Sequence, residues 1–442
     1  MMNPRIKKSF DIALDGIERF PRLIIWFAVL SAMLLLAGFA FLASLFTSIE
    51  ILEFSVRIPW ATLVATYIFL VAAGSGLCII NALGSVFGMQ RYEMMTKRMA
   101  FLSLIAIAFG MLCILLHLGH PERTPIYNTI SPNFRSAISW MGVLYSIYMA
   151  VVVIEIWLLI RGDLTELAAR NHGWVKKVLG LLALEKLRGT RLGVLLENPG
   201  LPRMIATLAF VSGASALSML GSVFAHSESR LLWYGPYYPI YFLVSAIFSG
   251  YALLLAVTII TYRARGEQMQ PAVEALIFEM AQVLALLLAL GLLLITYRLS
   301  VSLFDPAARK PAMLLITGPF RVSFWGFEVG LMSVVSVVVL AWAAAKKSLN
   351  GVLIGALLAQ IGIFVMRYEF VVAGQVFPNV PEGLPSYWPT LMEVFLIAGV
   401  IAAFLLIYTL GDLFLSLKEE KFHHLNEEKK SSNLVQMPGK GV

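Results

Sequence analysis

The chain has 442 residues, of which 59% are hydrophobic and 14% charged, with a net charge of +8. That charge share is about half of what soluble domains carry, and the apolar residues come in runs of about 20 or more, the length a bilayer core demands, so a soluble enzyme is excluded. The basic excess does not indicate nucleic-acid binding, because the lysines and arginines sit between the apolar runs, where they set topology.

Residues 1–22 form a polar N-terminal segment. It holds Arg5, Lys7, Lys8, Asp11, Asp15, Glu18 and Arg19 and no apolar core, so no cleaved signal peptide is read there. Hydropathy then predicts spans near 23–48, 59–88, 99–118, 137–160, 203–225, 239–262, 272–297, 323–345, 350–376 and 390–415. The expected fold is all-α: a polytopic integral membrane bundle of about ten transmembrane helices over 23–417. Spans 2–5 and 6–9 are expected to form two four-helix bundles, with the remaining helices flanking them. The connection 161–202 is expected to carry an interfacial amphipathic helix around Trp174–Leu187. Residues 418–442 form a polar tail. Cys78 and Cys113 fall inside apolar runs with no C-x-x-C, which reads as two small buried thiols and no iron–sulfur or zinc site.

Ten spans place both termini on one side. With the termini inside, the inner segments hold 25 of the 34 lysines and arginines and the outer segments 9. The predicted location is therefore the cytoplasmic membrane with both termini cytoplasmic.

Polar groups at membrane depth are costly, so their positions carry information about function. The outer ends of spans 2–5 gather Trp60, Tyr67, His117, His120, Trp140, Tyr145, Ser218, Ser222 and His226. An interfacial aromatic belt would account for the Trp and Tyr residues taken singly. The run HLGHPER at 117–123 is less easily explained that way. Histidine both hydrogen-bonds and exchanges protons near neutral pH, the two services that a quinone headgroup needs. The competing reading of His117 is a helix-end cation near the last carbonyls. In the second half, Glu279, Arg298, Glu328, Arg367, Glu369 and Glu393 lie inside apolar runs. They read either as a proton path or as buried ion pairs, with Arg367 paired to Glu393 or Glu328. Of the six histidines, none forms a facing pair suited to a b-type haem, so the chain is expected to bind no haem or metal itself.

Several motifs together resemble the NrfD/PsrC family, the quinone-reactive membrane subunits of polysulfide-reductase-type complexes. The ten-span branch is the nearest match, with DsrP-type subunits, the hydrogenase-2 membrane subunit and alternative complex III membrane subunits. The motifs are IPWATLVATYIFLVAAGSG at 58–76, HLGHPER at 117–123, SPNFRSAISW at 131–140 and LGSVFAHSESRLLWYGPYYPIYFLVSA at 220–246. In the second half they are FWGFE at 324–328, MRYEF at 366–370 and YWPTLMEV at 387–394. The chain departs from the family pattern in two places. Ala216, Leu217, Ser218 and Met219 stand where some relatives carry His-Gln-Ser-Ser, and His117 stands where an acid is common.

The resemblance implies a quinone pocket in spans 2–5 near the outer face, with menaquinone first among the quinones. It also implies a ferredoxin-type iron–sulfur subunit docked outside. A multihaem cytochrome c and further membrane or cytoplasmic redox subunits are candidate partners. The expected role is thus a quinone-reactive subunit and not a standalone enzyme, with His117 and His120 as proton-exchanging groups. Trp60, Tyr67, Trp140, Tyr145, Ser218 and His226 are expected to line the site, and proton movement is open as a coupled activity. Two rival readings remain. One is a transporter broken at Gly74-Ser75-Gly76; the other is a passive anchor.

Overall fold

The computed structural model describes residues 21–46, 58–376 except 119, 125, 127–129, 188, 197 and 199, then 387–415 and 417. The expected N-terminal segment, apart from its last two residues, and the polar tail lie outside the described residues. Among the described residues, ten helices are long and apolar enough to cross a membrane. They are α1 (Pro21–Phe46), α2 (Thr62–Ser85), α3 (Thr96–His117), α4 (Ala137–Arg170) and α5 (Gly200–Ala225), followed by α6 (Tyr237–Arg265), α7 (Pro271–Phe304), α8 (Ser323–Ala345), α9 (Leu349–Val376) and α10 (Leu391–Phe414). No strand occurs among the described residues. The chain is a multi-pass, all-α membrane protein.

Two helices outrun their predicted spans. Hydropathy ends the fourth span near 160, yet α4 continues to Arg170 through DLTELAAR, whose Leu, Glu and Ala favour helix without favouring lipid. Similarly, α7 continues to Phe304 and stops only where Asp305 caps a further helix, Pro306–Ile316, by accepting from the Ala307 N–H. That helix lies in what reads as a loop. The amphipathic segment is a helix over Gly173–Leu182 followed by a 3-10 turn at Glu185–Leu187. Trp157 and Arg161 of α4 fasten its end by donating to the Leu182 and Ala183 carbonyls at 2.8 and 3.0 Å.

Helices α2, α3, α4 and α5 neighbour one another in a ring, which leaves α2 and α4 diagonal across its interior. Helices α6, α7, α8 and α9 form a second ring. The two rings join chiefly through α6 against α2 and α5 and through α2 against α9, while α1 and α10 pair together beside α3. The α2–α6 crossing depends on glycine: a Cβ on Gly76 would overlap the Ala246 carbonyl, and one on Gly250 would press on the Gly76 backbone. Small residues that let helix backbones approach are a recurrent solution in lipid, where packing replaces the hydrophobic drive. Gly74-Ser75-Gly76 is therefore a packing surface on an unbroken helix, which removes the midplane break that a transporter reading would use.

Hydrogen bonds mark the two ends of the molecule. At the His117 end, the Leu63 N–H donates to Glu393 at 3.1 Å and Arg298 donates to the Leu232 carbonyl at 3.1 Å. At the opposite, Arg98 end, Arg203 donates to the Val86 carbonyl at 2.7 Å and Arg265 to Asp412 at 2.9 Å.

Candidate functional site

The first ring brings Tyr67 and Tyr145 together in its interior, while His117 stands at the end of the ring. His117 closes α3 and lies against the Pro59 carbonyl just ahead of α2. Tyr67, buried on α2, donates to the Met141 thioether of α4 at 3.5 Å. Tyr145, fully buried one turn further along α4, is close enough to Tyr67 to interact electrostatically. The Tyr145 hydroxyl makes no hydrogen bond at good geometry, although Ser75 of α2 lies beside it. A buried hydroxyl left in this state is the kind of group that a ligand or an ordered water satisfies.

Trp60 does not line this interior with an open ring. It stacks on Trp233 at 5.5 Å and meets Phe224 edge-on at 5.5 Å, inside an aromatic cluster that Phe370 completes. This cluster joins the two rings at the His117 end. Trp233 is fixed by donating to the Phe370 carbonyl at 2.7 Å, and it lies so close to Gly374 that no side chain would fit there.

The remaining expected residues of the first half sit further out. His120 is exposed and meets Glu122 at 3.0 Å. Glu122 has its carboxyl held below the usual carboxylate range by a backbone N–H first, and also by His120 and Arg123. Trp140 is half exposed and donates to the Phe134 carbonyl at 2.9 Å. His226 is exposed and donates to the Ser222 carbonyl at 2.7 Å. Ser218 is half-buried, and its carbonyl accepts from the Ser222 hydroxyl at 2.9 Å.

The second ring holds a denser polar cluster. Arg298 of α7 lies over the Tyr238 ring at 5.0 Å, and Glu328 of α8 and Glu369 of α9 face it across the interior. Arg367, fully buried, donates to the Ser245 hydroxyl at 2.6 Å and lies 4.7 Å above the Phe242 ring. Tyr241, Glu328 and Tyr145 surround it electrostatically. A cleft of about 330 Å³, its open mouth included, is lined by Trp233, Tyr238, Tyr241, Arg298, Glu328 and Glu369. Glu328 reaches this interior from a π-helical stretch, Ser323–Val335, in which Ser333 donates to the Glu328 carbonyl five residues back. Such insertions re-aim side chains and are frequent at functional sites.

Two expected members of this group lie elsewhere. Glu393 pairs with neither Arg367 nor any other cation among the described residues. It accepts from the Leu63 N–H and from the Tyr387 hydroxyl, so the unsatisfied N–H groups at the start of α2 already claim it. Glu279 is half exposed on α7 and pairs with Arg91 at the Arg98 end. The expected Arg367–Glu328 pair is an electrostatic neighbourhood, with no ion pair between the two. Glu369 is the carboxylate that shares the second-ring interior with Glu328 and Arg298.

Residues 50–379 match the polysulphide reductase, NrfD family. The chain belongs to this family. Among its relatives is a selenate reductase subunit of Mesobacillus selenatarsenatis, 25% identical over 405 residues, which cover 87% of this chain and 92% of the relative. Another is the Hdr-like menaquinol oxidoreductase integral membrane subunit of Archaeoglobus fulgidus, 24% identical over 84% of this chain and 88% of the relative. A third, the putative dimethyl sulfoxide reductase membrane subunit of Halobacterium salinarum, is 26% identical over 81% and 83%.

This NrfD-family chain also buries polar residues beyond those expected from its sequence. Tyr238 and Tyr241 lie three apart on one face of α6, a spacing visible in YGPYYPIY. Glu155 sits mid-span in α4 and is buried, its carboxylate accepting from Asn81 Nδ2 at 2.8 Å. The depth rule that singled out the second-half acids applies to Glu155 as well. Among the described residues, no group of three or more His, Cys, Asp or Glu gathers as a metal site, and Cys78 and Cys113 are free, buried thiols.

Proposed function

We propose that this chain is the quinone-reactive membrane subunit of a respiratory redox complex. It binds the headgroup in the first ring at the His117 end and exchanges electrons with an iron–sulfur subunit docked on that end. The observation that carries the reading is the fully buried Tyr145 hydroxyl, with no hydrogen bond at good geometry, beside Tyr67 in the interior of the first ring. Tyr145 lies about 12 Å along α4 from its first residue, on the His117 half of a hydrocarbon core about 30 Å thick. Family membership supports the redox role, and the menaquinol oxidoreductase relative supports menaquinone as the quinone class.

In this reading Tyr145 and Tyr67 offer hydroxyls to the headgroup oxygens. His117 exchanges the proton, because quinol oxidation releases two protons with its two electrons and needs a base within hydrogen-bond reach. We place the His117 end on the outer side, from the lysine and arginine bias. Reporter fusions near residue 170 then read cytoplasmic, and an outside reading there reverses the orientation. The direct test of the site is fluorescence quenching of a hydroxyquinoline-N-oxide quinone analogue by the purified complex. Saturable binding that menaquinol displaces is expected; unsaturable partitioning alone refutes the site.

A further inference from the structure

The cleft of the second ring is lined by polar groups that the surrounding side chains leave unanswered. Tyr241 is 4% exposed and Glu369 2% exposed, and both line the cleft. The Tyr241 hydroxyl makes no hydrogen bond at good geometry, and although Ser323 serves the Glu369 carboxylate, Glu369 Oε2 makes none either. Glu328 is buried beside them. Arg298 is only half-buried, with one N–H on the Leu232 carbonyl at 3.1 Å and its guanidinium over the Tyr238 ring. The floor of the cleft is thus acidic and its outer part basic, with Trp233 and Phe370 as aromatic walls. Buried polar atoms in this state are normally satisfied by a ligand or by ordered water.

Charge, hydrogen bonding and depth together select the ligand. Arg298 and Arg367 balance Glu328 and Glu369, so a ligand with a net charge would leave one charge uncompensated in this interior. A zwitterion brings both signs and upsets nothing. A carboxylate oxygen only accepts, so Glu369 Oε2 needs a donor; a primary ammonium carries three, and aromatic walls favour a cation between them. Helices α6, α7 and α9 have 29, 34 and 28 residues. At 1.5 Å per residue they are about 42–51 Å long against a hydrocarbon core of about 30 Å, so their ends stand in the headgroup layers. Tyr241, Arg298 and Glu369 lie about 6–10 Å inside the ends on the His117 side, at the inner edge of that layer. On α7, Tyr297, Val301 and Phe304 are exposed along one stripe beside Arg298, an apolar path for acyl chains.

We infer that the second-ring cleft binds the headgroup of a zwitterionic phospholipid whose ammonium carries N–H donors, a phosphatidylethanolamine-type lipid. The ammonium enters first and donates to Glu369, Glu328 and the Tyr241 hydroxyl oxygen. The phosphate stays further out and accepts from the Arg298 guanidinium, a charge-assisted contact. A choline headgroup has the same charges but no N–H, so it leaves Glu369 Oε2 and Tyr241 unanswered. An anionic glycerol headgroup brings its charge to two carboxylates and has no ammonium to offer them. A quinol could donate to Glu369 but has no anion for Arg298. The inference does not depend on the quinone reading, since Tyr145 belongs to the first ring.

The test titrates the full chain, delipidated in detergent, with phosphatidylethanolamine, phosphatidylcholine and phosphatidylglycerol of identical acyl chains, and counts bound lipid by native mass spectrometry. One phosphatidylethanolamine per chain is expected to bind at least ten-fold more tightly than either of the others. Glu369→Gln, which removes the charge that faces the ammonium, is expected to weaken that lipid at least ten-fold and to leave phosphatidylcholine binding unchanged. Tyr241→Phe removes only a hydroxyl and serves if Glu369→Gln fails to fold; it is expected to weaken phosphatidylethanolamine about five-fold, the worth of one hydrogen bond. Soluble phosphoethanolamine, which has no acyl chains, is expected not to displace the lipid at equal concentration. Equal affinity for the ethanolamine and choline lipids in the wild type overturns the proposal, as does an unchanged preference in Tyr241→Phe. Tighter binding of phosphatidylglycerol shows that a phosphate alone is read and overturns it too. Displacement of the lipid by menaquinol, one for one, gives the cleft to a quinol instead, and displacement by soluble phosphoethanolamine removes the lipid as its occupant.

Discussion

Gln375 holds the backbone of Trp60 from both sides. The Trp60 N–H donates to Gln375 Oε1 at 2.9 Å, and Gln375 Nε2 donates back to the Trp60 carbonyl at 2.7 Å. The end of α9 thereby grips the segment entering α2, and with it the aromatic cluster of Trp60, Trp233 and Phe224 and the Pro59 carbonyl beside His117.

Gln375→Leu keeps the volume and removes both hydrogen bonds. Net losses of about 1 kcal/mol per bond, and more where a buried group is left unsatisfied, predict a destabilisation of about 2–4 kcal/mol. Thermal unfolding in detergent checks it. Gln375→Glu retains only the acceptor and should fall between the two. A melting curve for Gln375→Leu that overlays the wild type would show that the grip contributes nothing.

Tyr387 and Glu393 give a pH-dependent counterpart at the same end. The Tyr387 hydroxyl is pushed up from its ordinary value by burial first and by Glu393 second, while the Glu393 carboxylate accepts from it and from the Leu63 N–H. Because the folded value is raised, the stability contributed by Tyr387 is fully present below the ordinary tyrosine value of about 10 and is lost as pH rises beyond it. Wild-type stability should fall on the alkaline side, and Tyr387→Phe should flatten that limb at the cost of lower stability near neutrality. Chemical unfolding across the alkaline range checks it; equal alkaline slopes would rule out the linkage.

The fold was legible in the sequence because lipid permits few solutions. Runs of apolar residues must become helices, and all ten were readable. Helix ends were less so, since hydropathy reports where lipid stops and not where hydrogen bonding stops; α4 and α7 show the difference. The candidate site was legible in part. Tyr67 and Tyr145 stand out by depth and residue type, and the structure buries the two side by side. Trp60 was expected beside a headgroup, but a ring at that depth looks the same whether its faces are open or covered by Trp233 and Phe224. Glu393 was expected to meet Arg367, but the helix start that claims it is 330 residues away in sequence. Glu155 meets the same depth rule as the second-half acids, but its partner Asn81 lies 74 residues away in sequence, so the buried pair is not legible from the chain.

Arg367 separates charge pairing from charge burial. It donates to the Ser245 hydroxyl and lies over the Phe242 ring, with Glu328 close enough to interact electrostatically. Removing this cation alone leaves Glu328 and Glu369 facing each other with Arg298 beside them. Arg367→Ala should therefore assemble worse than Arg367→Ala combined with Glu328→Gln, because an uncompensated buried charge costs about 3–5 kcal/mol when one partner is lost. Yields of assembled complex in the single and double variants check it. If the double variant is the worse of the two, the two residues are independent and the neighbourhood carries no coupling.

His117 and Tyr145 should fail differently. If His117 exchanges the proton, His117→Ala should leave the headgroup bound while slowing quinol-dependent electron transfer at least 100-fold, the usual scale for loss of a general base. If Tyr145 holds a headgroup oxygen through its otherwise unsatisfied hydroxyl, Tyr145→Phe should weaken quinone-analogue binding by about five- to ten-fold, the worth of one hydrogen bond of about 1–1.5 kcal/mol. Packing should be unaffected, because the ring is retained and its hydroxyl makes no hydrogen bond at good geometry. Analogue titration and steady-state turnover on the same two preparations separate binding from proton exchange. Unchanged analogue affinity in Tyr145→Phe moves the headgroup away from α4, and wild-type turnover in an assembled His117→Ala variant assigns the proton to another group at that end.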